Sequence, residues 1–159
     1  MKLLCLEKLS KYKKKIILSI LALTCAFSIT SFSTDKFSFQ KTSSFIEPLL
    51  RYFLPSLSES TIYTINLSIR KSAHFTEYGL LALLLFAVAA SGERAWKRRW
   101  LLYAFVPVAI LALVDEYMQT FTVTRRGSLS DSLIDILGAV SALTTVWLLR
   151  RRLFVKKPH

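Results

Sequence analysis

Four apolar runs, Ile16 to Phe32, Tyr78 to Ala90, Trp100 to Val114 and Ile134 to Leu149, are separated by polar stretches in which the charged residues gather. Each run falls short of the ~20 residues a helix needs to cross a ~30 Å hydrocarbon layer, so polar flanks must supply the missing turns. The spacing predicts transmembrane helices at 16–32, about 71–90, 98–119 and 130–149. The fold class this implies is all-α, a polytopic membrane protein with four transmembrane helices. The stretch from 33 to 70 is not a plain linker. Phe37, Phe39, Phe45, Ile46, Leu49, Leu50, Tyr52, Phe53 and Leu54 recur through it, and Pro48 and Pro55 break it into short pieces. That pattern suits interfacial or re-entrant helices in a first external loop, with Ser58 as the N-cap of a further helix leading into Arg70.

Composition supports a membrane setting: 53% of the 159 residues are hydrophobic and the mean hydropathy is +0.42, above what a soluble domain of this size carries. The net charge of +12 is not spread over one soluble face, as a nucleic-acid footprint requires. No nucleic-acid partner is expected. Six Lys or Arg precede the first apolar run, four (Arg94, Lys97, Arg98, Arg99) separate the second from the third, and five follow the fourth. Because basic loops are retained in the cytoplasm, the basic 1–15 and 150–159 termini and the 91–99 loop are assigned inside. Only Glu7 and Glu93 among the ten acidic residues fall on that side. Lys11 to Lys15 ahead of the first run resemble a signal-peptide n-region, but no small-x-small cleavage site follows, which favours an uncleaved anchor. Cys5 and Cys25 both lie N-terminally, and no disulfide is expected.

The polar residues at one end of the helices carry the candidate chemistry. To span, the second helix must begin near Lys71, which draws His74 and Glu77 into the bilayer. Lys71, His74 and Tyr78 then fall within an arc of about 60°, with Glu77 about 60° beyond His74. The third helix ends in Asp115, Glu116 and Gln119 on one face, and the fourth opens with Ser128, Asp131 and Asp135 on a stripe shared with Gly138 and Ala142. Three helices thus bring ionisable residues to one depth, where an unpaired charge costs about 2.5 to 3.5 kcal/mol on the lenient insertion scale. Glu77, Asp115, Glu116, Asp131 and Asp135 must face one another, the cations Lys71, Arg125 and Arg126, or water. The expected result is an outward-opening polar cavity.

Two readings of this cluster stay open on residue chemistry alone: a packing network that glues the bundle, or a ligand or catalytic site. His74, Glu77 and Asp115 make a poor zinc set, with one histidine and no thiol, and no cofactor is expected. Ser72, Ser128 and Ser130 lie near His74, but no nucleophile motif surrounds them. No glycine loop that could cradle a phosphate is present.

Three strings hold these residues: Lys71-Ser72-Ala73-His74-Phe75-Thr76-Glu77-Tyr78; Asp115-Glu116-Tyr117-Met118-Gln119-Thr120-Phe121 followed by Arg125; and Asp131-Ser132-Leu133-Ile134-Asp135-Ile136-Leu137-Gly138. In this order they resemble the motifs of the VanZ-like family, and the resemblance covers roughly residues 35 to 150, within a domain placed at 33–150. Family members often show His where Met118 stands and Asn where Asp135 stands. The resemblance implies a bacterial cytoplasmic-membrane protein whose named relative is linked to teicoplanin resistance, with no settled biochemical activity. It implies membrane lipid as a partner, with a lipoglycopeptide or a lipid-linked cell-wall precursor as the ligand of the polar site. The alternative from the enzyme class is an intramembrane hydrolase or transferase on a lipid-linked envelope substrate, with His74 as base.

Overall fold

The computed structural model describes residues 2–32, 39–91, 96–121 and 129–155. These form five helices and, among the described residues, no strand: α1 (Lys2–Phe32), α2 (Phe39–Phe53), α3 (Glu59–Ala90), α4 (Arg99–Gln119) and α5 (Leu129–Val155). Segments of α1, α3, α4 and α5 are long and apolar enough to cross a membrane. With no water to satisfy backbone groups in hydrocarbon, continuous helices are the form such segments must take.

α3 is the axis of the molecule. It begins at Glu59, well before the start near 71 that hydropathy suggests, and at 1.5 Å per residue its 32 residues reach about 48 Å, beyond a ~30 Å hydrocarbon layer. The Ser58 side chain accepts from the Thr61 backbone N–H at 3.3 Å and so caps the helix. The added turns are held by α2, which runs back along them. Asn66 Nδ2 donates to Ser43 Oγ at 3.4 Å, and Arg51 bridges Glu47 and Glu59. α2 turns Phe45, Leu49, Tyr52 and Phe53 outward, an apolar face suited to a membrane interface.

α3 and α5 form the most extensive helix pair, and they run parallel, as Lys71 meets Asp131, His74 meets Asp135 and Gly79 meets Gly138. Their backbones approach so closely that a Cβ on Gly138 would lie 2.1 Å from the Phe75 carbonyl oxygen, and one on Gly79 would lie 3.2 Å from the Gly138 carbonyl oxygen. α4 runs antiparallel to both, and the buried Ala82, Ala104, Ala112 and Ala139 let the three helices close together. At the end remote from Lys71, Phe86, Trp96 and Trp100 pack edge to face or tilted with ring centroids 5.3 to 6.3 Å apart. Arg150 sits 5.7 Å over the Trp96 ring, an arrangement suited to a membrane interface. α1 packs chiefly on α3.

Candidate functional site

The polar cluster is assembled by the close crossing of α3 and α5. Gly138 lets α5 lie against the Phe75 backbone, and Asp135, one turn earlier, is thereby set opposite His74: His74 Nδ1 stands 3.5 Å from Asp135 Oδ1. One further turn along, Lys71 Nζ lies 3.4 Å from Asp131 Oδ1 at a half-exposed position. Lys71 and His74 thus each reach across to α5. α4 supplies the third wall. Its last turns bury Asp115, Glu116 and Gln119, and Gln119 Nε2 donates to Asp115 Oδ2 at 3.1 Å. Ser132, which the sequence reading passed over although it follows Asp131, is buried and donates from Oγ to the Ala112 carbonyl oxygen at 3.3 Å, tying α5 to α4.

Tyr78 sits at the centre. It is 0% exposed, its ring stacks on His74 with centroids 6.4 Å apart, and it lies within Coulombic reach of Asp115, Asp135, Glu116 and Glu77. Its hydroxyl is buried without a hydrogen-bond partner among the described residues, while the Asp135 carboxylate, 1% exposed, is buried with the His74 ring 3.5 Å from Oδ1. Glu77 is half-buried, on the side of α3 that faces α1, within Coulombic reach of Cys25 as well as of His74, Asp115 and Asp135. Of the residues singled out from the sequence, Lys71, His74, Glu77, Tyr78, Asp115, Glu116, Gln119, Asp131 and Asp135 all lie at this end of the bundle. Arg125, with Arg126, lies outside the described residues. No group of three or more His, Cys, Asp or Glu side chains among the described residues is placed to hold a metal ion.

A second feature had no signal in the sequence. A groove of about 430 Å³ opens between α1, α3 and α4, walled by Leu23 and Ala26, Leu81 and Leu85, and Pro107 and Leu111. It is apolar where the sequence suggested a polar cavity, and it adjoins the cluster on the side of Glu77.

Comparison with known proteins gives one result. A family model described as VanZ/LLP1 matches residues 15–150, most of the chain. No curated protein and no solved structure matches.

Proposed function

We propose, for a chain that belongs to the VanZ/LLP1 family, that the cluster around Tyr78 is an outward-facing site for a polar cell-envelope or antibiotic ligand, and that its occupation lowers sensitivity to an acylated glycopeptide such as teicoplanin. One observation carries this reading. The Tyr78 hydroxyl is wholly buried and lacks a hydrogen-bond partner among the described residues, and the buried Asp135 carboxylate has the His74 ring, 3.5 Å away, as its ion-pair partner, in a solvent where an unsatisfied polar group costs several kcal/mol. A network whose only task was packing would be expected to satisfy its central members. In this reading the donors and carboxylates of Lys71, His74, Glu77, Asp115 and Asp135 recognise the polar part of the ligand. The site sits in the bacterial cytoplasmic membrane with both termini inside, so that Lys71 and Asp131 mark its outer mouth.

The test is the inhibitory concentration of teicoplanin, with vancomycin in parallel, for a susceptible Gram-positive host expressing wild type, Glu77→Gln or Asp115→Asn at matched membrane levels. A rise for teicoplanin alone, lost in the variants, is the expected result. Variants that insert normally and protect as well as wild type would remove the cluster from the function.

The His74–Asp135 pair supports a second reading, because a carboxylate behind an imidazole is the arrangement that orients a general base. An intramembrane hydrolase or transferase acting on a lipid-linked substrate would then alter the envelope lipids of expressing cells. That change should vanish with His74→Ala and persist with Asp131→Asn.

A further inference from the structure

We propose that the groove between α1, α3 and α4 is the chain seat of this same site: a lateral entrance through which a membrane amphiphile slides one acyl chain, its head group presenting N–H donors to Glu77. The proposal rests on the reading of the polar cluster given above and assigns it a substrate class.

The groove arises from how the helices pair. α4 packs on α3 and α5, whereas α1 packs chiefly on α3, so a cleft remains between α1 and α4 and opens to the bilayer. Pro107 lies on its wall, where the missing N–H breaks the α4 ladder without exposing a donor to hydrocarbon. The groove's volume of about 430 Å³ lies in the range of small-molecule sites, roughly 300 to 1,000 Å³, and its walls are almost wholly apolar.

Register joins this groove to the cluster. On α3 the wall residues Leu81 and Leu85 lie on a stripe that continues one turn toward Lys71 as Glu77, offset by about 40° from Leu81. On α4, Leu111 is followed one turn later by Asp115 at a similar offset of about 40°. On α1, Cys25 lies beside Ala26 within Coulombic reach of Glu77. An apolar trough with carboxylates one helical turn beyond its wall residues Leu81 and Leu111, entered from the side, has the profile of a lipid. Hydrocarbon alone gives no preference here, because lipid tails are as apolar as the walls they would leave. Selectivity must come from the head group, and a carboxylate accepts its strongest bonds from a charged N–H donor.

The full-length protein, purified in detergent, would be examined by native mass spectrometry with dioleoyl phosphatidylethanolamine or dioleoyl phosphatidylcholine, which share both chains and differ in whether the head can donate. Wild type should retain one phosphatidylethanolamine in preference to phosphatidylcholine by roughly tenfold, the size of one charge-assisted hydrogen bond. Leu23→Trp and Leu111→Trp, which fill the groove, should lose the adduct with either lipid. Leu23 is 71% exposed, so that change leaves the core intact. Leu102→Trp, on a lipid-facing part of α4 outside the groove and 62% exposed, should keep it. Glu77→Gln should bring the two lipids toward parity. Equal retention of the two lipids by wild type, or an adduct that survives both groove-filling substitutions, would overturn the proposal. Those results read lipid retention and stand apart from drug susceptibility, on which the cluster reading succeeds or fails.

Discussion

Asp135 and His74 meet with 3.5 Å between Oδ1 and Nδ1, and Asp135 is 1% exposed. The size of their coupling follows from the solvent. Polar pairs between membrane helices contribute about 0.6 kcal/mol on average and about 1.7 at most, because the separated helices find other partners in the bilayer. We expect a double-mutant cycle of His74→Ala and Asp135→Ala to give a coupling of about 0.6 to 1.7 kcal/mol, read from reversible unfolding in mixed micelles. A coupling indistinguishable from zero would show that the two side chains meet without stabilising each other, and would weaken the base-orienter reading. The positions of these residues were legible in the sequence, since spans that short of apolar length must draw Lys71, His74, Glu77, Asp115 and Asp135 into the membrane. Their partners were not. Spacing places Lys71, His74 and Glu77 along one helix, while the pairing across to α5 depends on which helix approaches α3 most closely. Tertiary packing decides that.

At the level of helices, that approach hinges on Gly138. An added Cβ would fall 2.1 Å from the Phe75 carbonyl oxygen, and backbone cannot rotate aside as a flexible side chain can. Gly138→Ala should therefore separate α3 from α5 and destabilise the bundle by about 1 to 3 kcal/mol, the usual cost of overpacking a closed interface. Gly79→Ala, whose Cβ would meet the Gly138 carbonyl oxygen at 3.2 Å, needs a shift of only a few tenths of an ångström and should cost less. Unfolding midpoints of the two variants measure the order, and a Gly138→Ala protein as stable as wild type would show that the crossing has slack. The sequence showed the Gly138 and Ala142 stripe, though not Gly79 and Phe75 as its counterpart. Ser58 was legible as the cap of a helix leading into Arg70, but not that this helix runs on unbroken through Lys71 as one element with the membrane span. Residues 59–70 alternate polar and apolar groups too irregularly to extend a hydropathy window, and they are helical because Ser58 caps them and α2 covers Asn66 and Ile62. The groove was equally out of reach, since it exists because α1 packs chiefly on α3.

For the molecule as a whole, the two ends differ in kind. One end gathers Lys71, Asp131, Asp115 and Glu116. The other gathers Phe86, Trp96 and Trp100 with Arg150 stacked on Trp96, beside the basic Lys97, Arg98 and Arg99. The orientation proposed above, from the retention of short basic loops in the cytoplasm, has the tryptophan end inside and the carboxylate end outside. In a background with Cys5 and Cys25 replaced by Ser, Ser60→Cys should react with a membrane-impermeant maleimide in intact cells, and Ser91→Cys should react only after permeabilisation. The reverse pattern would carry consequences beyond topology. It would put the Tyr78 cluster on the cytoplasmic face, out of reach of a drug that does not enter the cell, while the groove would still open sideways to the bilayer and its ligand would then be a lipid of the inner leaflet.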